Sequence, residues 1–282
     1  MKRLVVTADD FGAAPEVNEA VELAHRNGIL TAASLMVSGA ALADAVARAK
    51  QMPSLRVGLH VVLVDGCPIL PPGAIPDLVD ANGKFRDDLA KVGAAMFFRA
   101  TVQKQMAAEI EAQFHAFRAT GLVLDHVNAH KHFHLHPTVA KAIIEIGRGF
   151  GVPAIRVPLE PRAVLAAAEP EGTPPSAYLT KPFARMLRKR LAANGLRAPD
   201  AVFGLAWSGA MTAARVRGVL AHLPQGLSEI YLHPASRGGF PGAAPGYRYE
   251  EEFAALIDSE VRAMVQQEDI SLGGFSDFCG HS

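Results

Sequence analysis

Short apolar runs rich in β-branched residues alternate along the chain with longer segments whose apolar residues recur every three or four positions. The short runs predict strands, and the longer segments predict amphipathic helices. Strands and helices that alternate at this spacing are typical of βαβ units around a parallel sheet. Predicted strands cover residues 4–8, 29–37, 55–63, 122–128, 154–158, 201–207, 227–233 and 270–275, and predicted helices cover residues 15–25, 40–50, 101–119, 138–149, 182–193, 212–223 and 250–266.

The number of alternations favours one α/β architecture. About seven or eight β/α units, with no repeat or linker between them, predict a single domain over residues 1–282. We expect a distorted (β/α) barrel similar to a TIM barrel. Residues 64–91 break the pattern with several prolines and glycines, and a loop of this length is usually functional, so we expect a lid or a wall of a binding site. The composition of residues 160–175 predicts no regular element.

Charge, cysteine usage and hydropathy exclude several classes of protein. The chain has 28 basic and 28 acidic residues, so its net charge gives no indication of a nucleic-acid partner. Cys67 and Cys279 lie far apart and form no paired motif, which favours a reducing compartment. The first apolar run is too short for a signal peptide, and no uncharged apolar window is long enough to span a membrane. The sequence therefore predicts a cytoplasmic protein.

Residues 125–137 hold five of the eleven histidines of the chain. In an extended strand, side chains two positions apart share a face, so the five imidazoles would point the same way as Asn128. Such neighbours have Cα atoms about 6.5 Å apart, close enough for two imidazoles to hold one divalent ion at about 2.1 Å each. A solvated histidine tract is the alternative, but the stretch is internal and precedes Pro137, a favourable first residue of a helix. We expect metal binding by at least one member of the set His126, His130, His132, His134 and His136.

Polar side chains end several of the predicted strands. In a barrel of this kind, reactive groups project from the C-terminal ends of the strands. Taken alone, each has an ordinary explanation, such as helix capping by an aspartate or a histidine that fills the barrel. Their convergence favours an ion held by aspartate and two histidines, with positions left open for water and substrate. The residues at these ends, besides the histidine stretch, are Asp9, Asp10, His60, His233 and Arg156, the last of which suits a carboxylate orienter or a substrate contact.

Motifs in four parts of the chain form a specific combination. They are Thr-Ala-Asp-Asp-Phe-Gly at residues 7–12, Gly-Leu-His at 58–60, Asn-Ala-His-Lys-His-Phe-His-Leu-His-Pro at 128–137 and Tyr-Leu-His-Pro at 231–234. Together they resemble the YdjC/ChbG-like carbohydrate deacetylases, and residues 127–137 are most similar to the hopanoid-biosynthesis-associated branch, HpnK. Many relatives have Asp-Ser-His where this chain has Asn128-Ala129-His130, so a supporting role of that aspartate is not carried over.

The resemblance implies a ligand set and a reaction. It implies a distorted β/α barrel in which Asp10, His60 and His130 hold one divalent ion. It also implies removal of the N-acetyl group from an acetylglucosamine unit, which the hopanoid branch carries on a polyol-tailed triterpenoid lipid. Aspartate with two histidines suits zinc, and open water positions also permit magnesium, manganese or cobalt.

The resemblance also implies roles for the remaining polar residues. Asp9 acts as the general base on a water molecule, and His233 protonates the departing amine by analogy with other polysaccharide deacetylases. His132 and His134 either support the site from behind or contact the sugar. The sequence leaves these two alternatives open.

Alternative functions share the same residues. One is a deacetylase of soluble chitooligosaccharides or of another acetylated sugar, and a phosphoester is a further substrate for the same metal site. Another is a non-catalytic metal-binding or sugar-binding protein whose histidine stretch buffers several ions. A lipid substrate would require contact with the inner face of the membrane, and two segments are candidates for it: the basic helix over residues 182–191 and the apolar residues 94–98. Packing on the barrel is the simpler interpretation of the helix.

Overall fold

The computed structural model describes residues 1–169 and 179–279, and within them a curled sheet of seven parallel strands is flanked by helices. The strands are β1 (Lys2–Phe11), β2 (Ala32–Leu35), β3 (Arg56–Val61), β4 (Leu124–Ala129), β5 (Ala201–Phe203), β6 (Gly226–Leu232) and β7 (Ile270–Leu272). The helices are α1 (Pro15–Asn27), α2 (Leu42–Lys50), α3 (Leu89–Phe98), α4 (Ala100–Ala119), α5 (Pro137–Arg148), α6 (Arg162–Ala168), α7 (Lys181–Ala193), α8 (Ala213–Ala221), α9 (Tyr249–Ile257), α10 (Ser259–Gln267) and α11 (Phe275–Cys279). The strand order is β4-β3-β2-β1-β6-β5, and β7 pairs with the first residues of β1.

Strand β1 lies at the centre of the sheet because its apolar run is buried on both faces. Leu4, Val5 and Val6 have no exposed surface, as expected of a strand that is covered on both sides. β1 pairs in parallel with β2 on one side and β6 on the other. The C-terminal ends of these neighbouring strands therefore meet at one edge of the sheet. The predicted parallel α/β sheet is confirmed, whereas the predicted count of seven to eight barrel units stays a prediction.

Residues 154–159 occupy the place of the predicted strand at 154–158, although they form no regular strand. The Val127 N–H donates to the Ala154 carbonyl at 3.0 Å, and the Arg156 N–H donates to the Val127 carbonyl at 3.1 Å. On the other side, the Val202 N–H donates to the Leu159 carbonyl at 3.0 Å. This irregular segment therefore continues the sheet from β4 towards β5.

Several predicted elements differ from the observed ones. The strand predicted through the histidine stretch ends at Ala129, and residues 130–135 form short 3-10 segments interrupted by a kink at Lys131 and His132. The helix predicted over 250–266 is divided at Asp258, whose carboxylate accepts from the Val261 N–H and caps α10. Within residues 64–91, a 3-10 turn at Pro72–Ala74 precedes α3, which was not predicted. In the region without a predicted element, α6 is helical, whereas residues 170–175 lie outside the described residues.

The long loop after β3 is held by one polar face of α4. Gln105, Glu109 and Gln113 recur every four residues, so they lie on one side of the helix. The Gln113 side chain accepts from the Val62 N–H at 2.9 Å, and Gln105 accepts from the Asp77 N–H at 2.9 Å. Between them, the buried carboxylate of Glu109 accepts from two backbone N–H groups of the loop. These bonds fix the loop against the body of the domain.

The basic helix α7 packs on the domain through an apolar face. Ala184, Leu187 and Leu191 are buried at helical spacing. This packing supports the simpler of the two interpretations of that helix. Among the described residues, no helix combines the length and the apolar character that crossing a membrane requires.

Candidate metal centre and active site

Two consecutive aspartates at the end of β1 both contribute to one site because the strand is irregular there. In a regular strand, Asp9 and Asp10 would point to opposite faces. The register against β2 shifts between Ala8 and Phe11, and Asp10 has a φ of 63°. Aspartate tolerates this left-handed conformation better than most residues. With this distortion the Asp9 side chain contacts Arg156, and the Asp10 side chain contacts the histidines at the ends of β3 and β4.

Asp10, His60 and His130 converge from β1, β3 and the residue after β4. Asp10 Oδ1 lies 3.2 Å from His130 Nδ1 and 3.3 Å from His60 Nε2. The two imidazole nitrogens are 3.4 Å apart. Across the part of the chain that the structure describes, this trio is the one group of His, Cys, Asp or Glu side chains found with the spacing for a metal ion. The structure therefore brings together the three residues that were expected to hold the ion.

The spacing and chemistry of the trio fit a divalent ion. Bonds of about 2.1 Å to three atoms this far apart enclose angles of about 104°, close to the tetrahedral value. Burial would raise the pKa of Asp10, but the neighbouring His130 lowers it well below its usual range, so the carboxylate is ionised. The Asp10 and His130 side chains each keep 17% of their surface exposed. The trio is thus open to solvent on one side, as a catalytic ion requires.

Asp9 is buried in an ion pair with Arg156. Arg156 Nη1 donates to Asp9 Oδ2 at 2.5 Å, and Nη2 donates to Oδ1 at 3.0 Å. The guanidinium also donates to Glu229 Oε1 at 2.6 Å, and the Thr7 hydroxyl donates to the same oxygen at 2.8 Å. Burial would raise the pKa of Asp9, but the Arg156 charge holds it well below its usual range. Arg156 has no exposed surface and bonds both oxygens of Asp9, which favours a carboxylate orienter over a substrate contact.

Asn128 connects the ion pair to the trio of ligands. Its Oδ1 lies 2.7 Å from His60 Nδ1, and its Nδ2 donates to Asp9 Oδ1 at 3.0 Å. The same nitrogen donates to Ser34 Oγ at 2.9 Å. Asp125, near the other end of β4, reaches Asn128 only indirectly, because its carboxylate lies 3.0 Å from His126 Nδ1 and His126 Nε2 lies 3.0 Å from Ser34 Oγ. Asn128 therefore holds the position beside the ligands.

His233 follows β6 and lies beside Glu252. Its backbone N–H donates to Glu252 Oε2 at 2.5 Å, and its Nδ1 lies 3.9 Å from that oxygen. The ring packs against Tyr231 and Tyr247 with centroid distances of 5.9 and 5.0 Å. Leu232 lies opposite Ala8 in the pairing of β6 with β1, so His233 and Asp9 each follow one member of a paired set. The structure thus places the proposed acid at the same edge of the sheet as the proposed base.

His132 and His134 do not share the face predicted for them because the chain turns after Ala129. Lys131 and His132 have φ values of 50° and 55°. His132 Nε2 lies 2.8 Å from the Tyr231 hydroxyl, and burial lowers the pKa of the His132 imidazole to about 3. His134 is fully buried, and its Nδ1 accepts from the Ala129 N–H at 3.1 Å. A supporting role therefore fits His134 better than contact with a sugar.

The remaining histidines of the stretch also separate. His126 stays on β4, where its Nε2 lies 3.0 Å from Ser34 Oγ. His136 caps α5 by accepting from the Thr138 N–H at 3.3 Å. The prediction that all five imidazoles share one face is therefore wrong, because the extended backbone ends before His130.

Sequence reasoning missed several residues that hold the site together. Glu229 is an acidic residue inside the apolar strand β6, and that isolation was the available signal for a buried partner of Arg156. Glu252 lies on α9 among other acidic residues and gave no such signal. Neither did Ser34, a small polar residue within β2.

Comparison with known proteins identifies the family of the chain. Residues 3–267 match the family model described as YdjC-like protein. A carbohydrate deacetylase of Brevibacillus brevis is 36% identical over 156 residues, and the match spans 55% of this chain but 59% of that relative, less than two thirds of its length. A human carbohydrate deacetylase is 32% identical over 98% of this chain and 90% of the relative.

One solved structure shares the fold over its full length. It is a crystal structure from Enterococcus faecalis V583 of a protein assigned to cellobiose-phosphate cleavage, with a TM-score of 0.76, 22% identity and coverage of 99% of both chains. At this identity the likeness concerns the fold alone. Because the family match extends over almost the whole sequence, the chain belongs to the YdjC-like family.

Proposed function

We propose that the protein is a metal-dependent hydrolase that removes the N-acetyl group from an acetylated amino sugar. The observation that carries the proposal is the trio of Asp10, His60 and His130, which adjoins the buried carboxylate of Asp9. Metal-assisted hydrolysis needs an ion with open coordination positions for water and substrate, and a base nearby. The carbohydrate deacetylases among the relatives support an acetylated sugar as the substrate.

The chain's own residues supply the proton transfers. A divalent ion bound by the trio would polarise the amide carbonyl and lower the pKa of a water molecule. Asp9 accepts the proton of the attacking water at Oδ2, which receives one described hydrogen bond and keeps a lone pair. His233 gives a proton to the nitrogen of the breaking C–N bond, so that the products are acetate and a free amine. Zinc suits the donor set best, and magnesium, manganese or cobalt also fit it.

We propose an N-acetylglucosaminyl hopanoid as the substrate, on the basis of the histidine-rich motif. An exposed aromatic pair supports an apolar substituent on the sugar. Phe97 and Phe98 at the end of α3 are 50% and 79% exposed, and the Phe97 ring lies 6.0 Å from that of His136. This pair is the proposed site of contact with the lipid tail or the inner face of the membrane.

A substrate panel tests the reaction. We expect purified protein to release acetate from the acetylglucosaminyl hopanoid, with loss of one acetyl group by mass spectrometry, and to leave aryl phosphates intact. Release from chitooligosaccharides alone would support the soluble-sugar alternative. Binding of ions and sugars without release of acetate from any compound would overturn the enzyme proposal in favour of a binding protein.

A pair of variants tests the lipid contact. Phe97→Ser/Phe98→Ser should reduce co-sedimentation with anionic vesicles and turnover of the glycolipid, while hydrolysis of a soluble acetylated sugar is retained. The matched control is Val123→Ser, because Val123 is 86% exposed near the opposite end of the sheet. Equal effects of the two substitutions would exclude the aromatic pair as a lipid contact.

A further inference from the structure

Asn128 contacts the proposed base and a proposed metal ligand at the same time. It is fully buried and lies opposite His60 in the pairing of β3 with β4. One end of its amide lies 2.7 Å from His60 Nδ1, and the other donates to Asp9 Oδ1 at 3.0 Å. One side chain therefore joins two parts of the site that have different chemical tasks.

The charge on Asp9 determines how the amide is oriented. An ionised carboxylate only accepts hydrogen bonds, so Asn128 must turn its NH₂ group towards Asp9. Its second amide hydrogen reaches Ser34 Oγ at 2.9 Å. Both hydrogens of Nδ2 are then used, and the carbonyl oxygen is left facing His60.

This orientation determines the tautomer of His60. A carbonyl oxygen only accepts, so His60 Nδ1 must carry the hydrogen of the neutral ring. The lone pair is then on Nε2, the atom that lies 3.3 Å from Asp10 Oδ1 and 3.4 Å from His130 Nδ1. Histidine ligands are generally held in this way, through a hydrogen bond from the nitrogen that does not bind the metal.

We propose that Asn128 is a positioning residue that couples Asp9 to the metal centre, because its amide fixes the tautomer and orientation of His60. The inference rests on the proposed function for the roles of the ion and of Asp9. It goes further in assigning separate tasks to the two ends of one amide. The oxygen prepares His60 for metal binding, and the nitrogen holds Asp9.

Two substitutions separate these tasks. Asn128→Ala removes both contacts, whereas Asn128→Asp keeps an oxygen for His60 but sets a second carboxylate beside Asp9, where the wild-type contact is 3.0 Å. The matched control is Gln105→Ala, which removes another side-chain amide that is bonded at both ends, but to the backbone N–H and the carboxylate of Asp77 instead of the site.

Three measurements on the full chain provide the readouts. Side-chain ¹⁵N NMR of His60 without added metal at alkaline pH reports the tautomer, calorimetric titration reports zinc affinity, and acetate release reports turnover. We expect Asn128→Ala to mix the tautomers and weaken zinc binding about 10- to 100-fold. Asn128→Asp should keep the tautomer and zinc affinity but lower kcat by about 100-fold or more, since it disturbs the general base. Gln105→Ala should match wild type in the His60 tautomer and in zinc affinity.

The outcomes distinguish this inference from the proposed function. If Asn128→Ala keeps the wild-type tautomer and zinc affinity, the amide oxygen does not prepare His60 for metal binding. If Asn128→Asp keeps the wild-type kcat, the amide nitrogen is not needed to hold Asp9. If Asn128→Ala fails to fold, Asn128→Ser serves in its place. Wild-type protein that binds no zinc and releases no acetate would contradict the proposed function. The NMR comparison would still show whether Asn128 fixes the tautomer of His60.

Discussion

Arg156 lies between Asp9 and Glu229, so one buried guanidinium holds two buried carboxylates. None of the three side chains exposes more than 3% of its surface. The guanidinium also lies 4.3 Å from the centre of the Tyr231 ring. Bonds to both oxygens of Asp9 fix the plane of that carboxylate. The carboxylate that we propose as the general base is therefore positioned by a fully buried cation.

Replacement of Arg156 should destabilise the fold strongly. Arg156→Met leaves two buried carboxylates without their cation, and we expect the free energy of unfolding in urea to fall by about 3–5 kcal/mol. Arg156→Lys restores the charge but not the two-point contact, so its loss should be smaller. The control is Arg215→Met, whose pair with Glu169 is partly exposed and should change stability by about 1 kcal/mol or less. Equal losses at the two arginines would contradict the central role of the buried pair.

Substitution of Asp9 should separate catalysis from metal binding. Asp9→Asn keeps the size of the side chain but removes the base, so we expect kcat to fall by about 10²- to 10⁴-fold. Metal content should stay near that of wild type because the proposed ligands are Asp10, His60 and His130. Acetate release and metal analysis on the same preparation check both expectations. Retained turnover would remove Asp9 from the mechanism.

Glu160 should make stability depend on pH. Its carboxylate accepts from the backbone N–H groups of Gly204, Leu205 and Ala206, yet burial raises its pKa to about 7. A raised pKa means that the folded state favours the protonated form, so this contribution is full below about pH 4.5 and is lost as the pH rises through about 7. The expected loss is about 3 kcal/mol.

The Glu160→Gln variant isolates this contribution. Urea unfolding of both proteins between pH 4.5 and about 8 gives a difference curve from which the other titrating groups cancel. We expect wild type to lose stability relative to Glu160→Gln as the pH rises. A flat or rising difference would show that the three N–H groups outweigh burial.

The fold should require glycine at position 58 because the His126 ring leaves no space for a side chain there. A Cβ at this position would lie 2.5 Å from ring atoms of His126. That ring stacks on Phe275 at 4.5 Å and is bonded on both nitrogens, so it has no free direction in which to move. We expect Gly58→Ala to cost about 1–3 kcal/mol in urea unfolding. The control Gly73→Ala has no atom within 4 Å of the new Cβ and should cost little.

A double variant decides whether His126 causes that cost. In the background of His126→Ala, the same Gly58→Ala change should cost much less, which gives a favourable coupling energy. Equal costs in the two backgrounds would show that the clash is not with the ring.

The sequence predicted the convergence of Asp10, His60 and His130 better than the path of the chain that carries them. Parallel strands bring their C-terminal ends to one edge, so Asp10, His60 and His130 could be assembled from strand positions alone. The turn after Ala129 depends on left-handed backbone at two consecutive residues, Lys131 and His132, and that combination is rare for residues other than glycine. Local spacing therefore predicted one imidazole face, whereas tertiary packing produced several separate environments.

The partners of the polar residues were less predictable. Arg156 was expected at the edge with an orienting role, but its second carboxylate, Glu229, lies on a strand far along the sequence. Asn128 departs from the aspartate of many relatives, and the sequence gives it no role of its own. Only the pairing of β3 with β4 shows that its amide oxygen takes up the position beside His60.

Metal analysis of wild type and His60→Ala tests the central claim most directly. The distances among Asp10, His60 and His130 also suit hydrogen bonds, so the bound ion itself must be counted. His136→Ala is the control, because that histidine caps α5 outside the trio. We expect about one divalent ion per chain in wild type and His136→Ala, and almost none in His60→Ala. Equal metal content in wild type and His60→Ala, or several ions per chain in all three, would contradict the account.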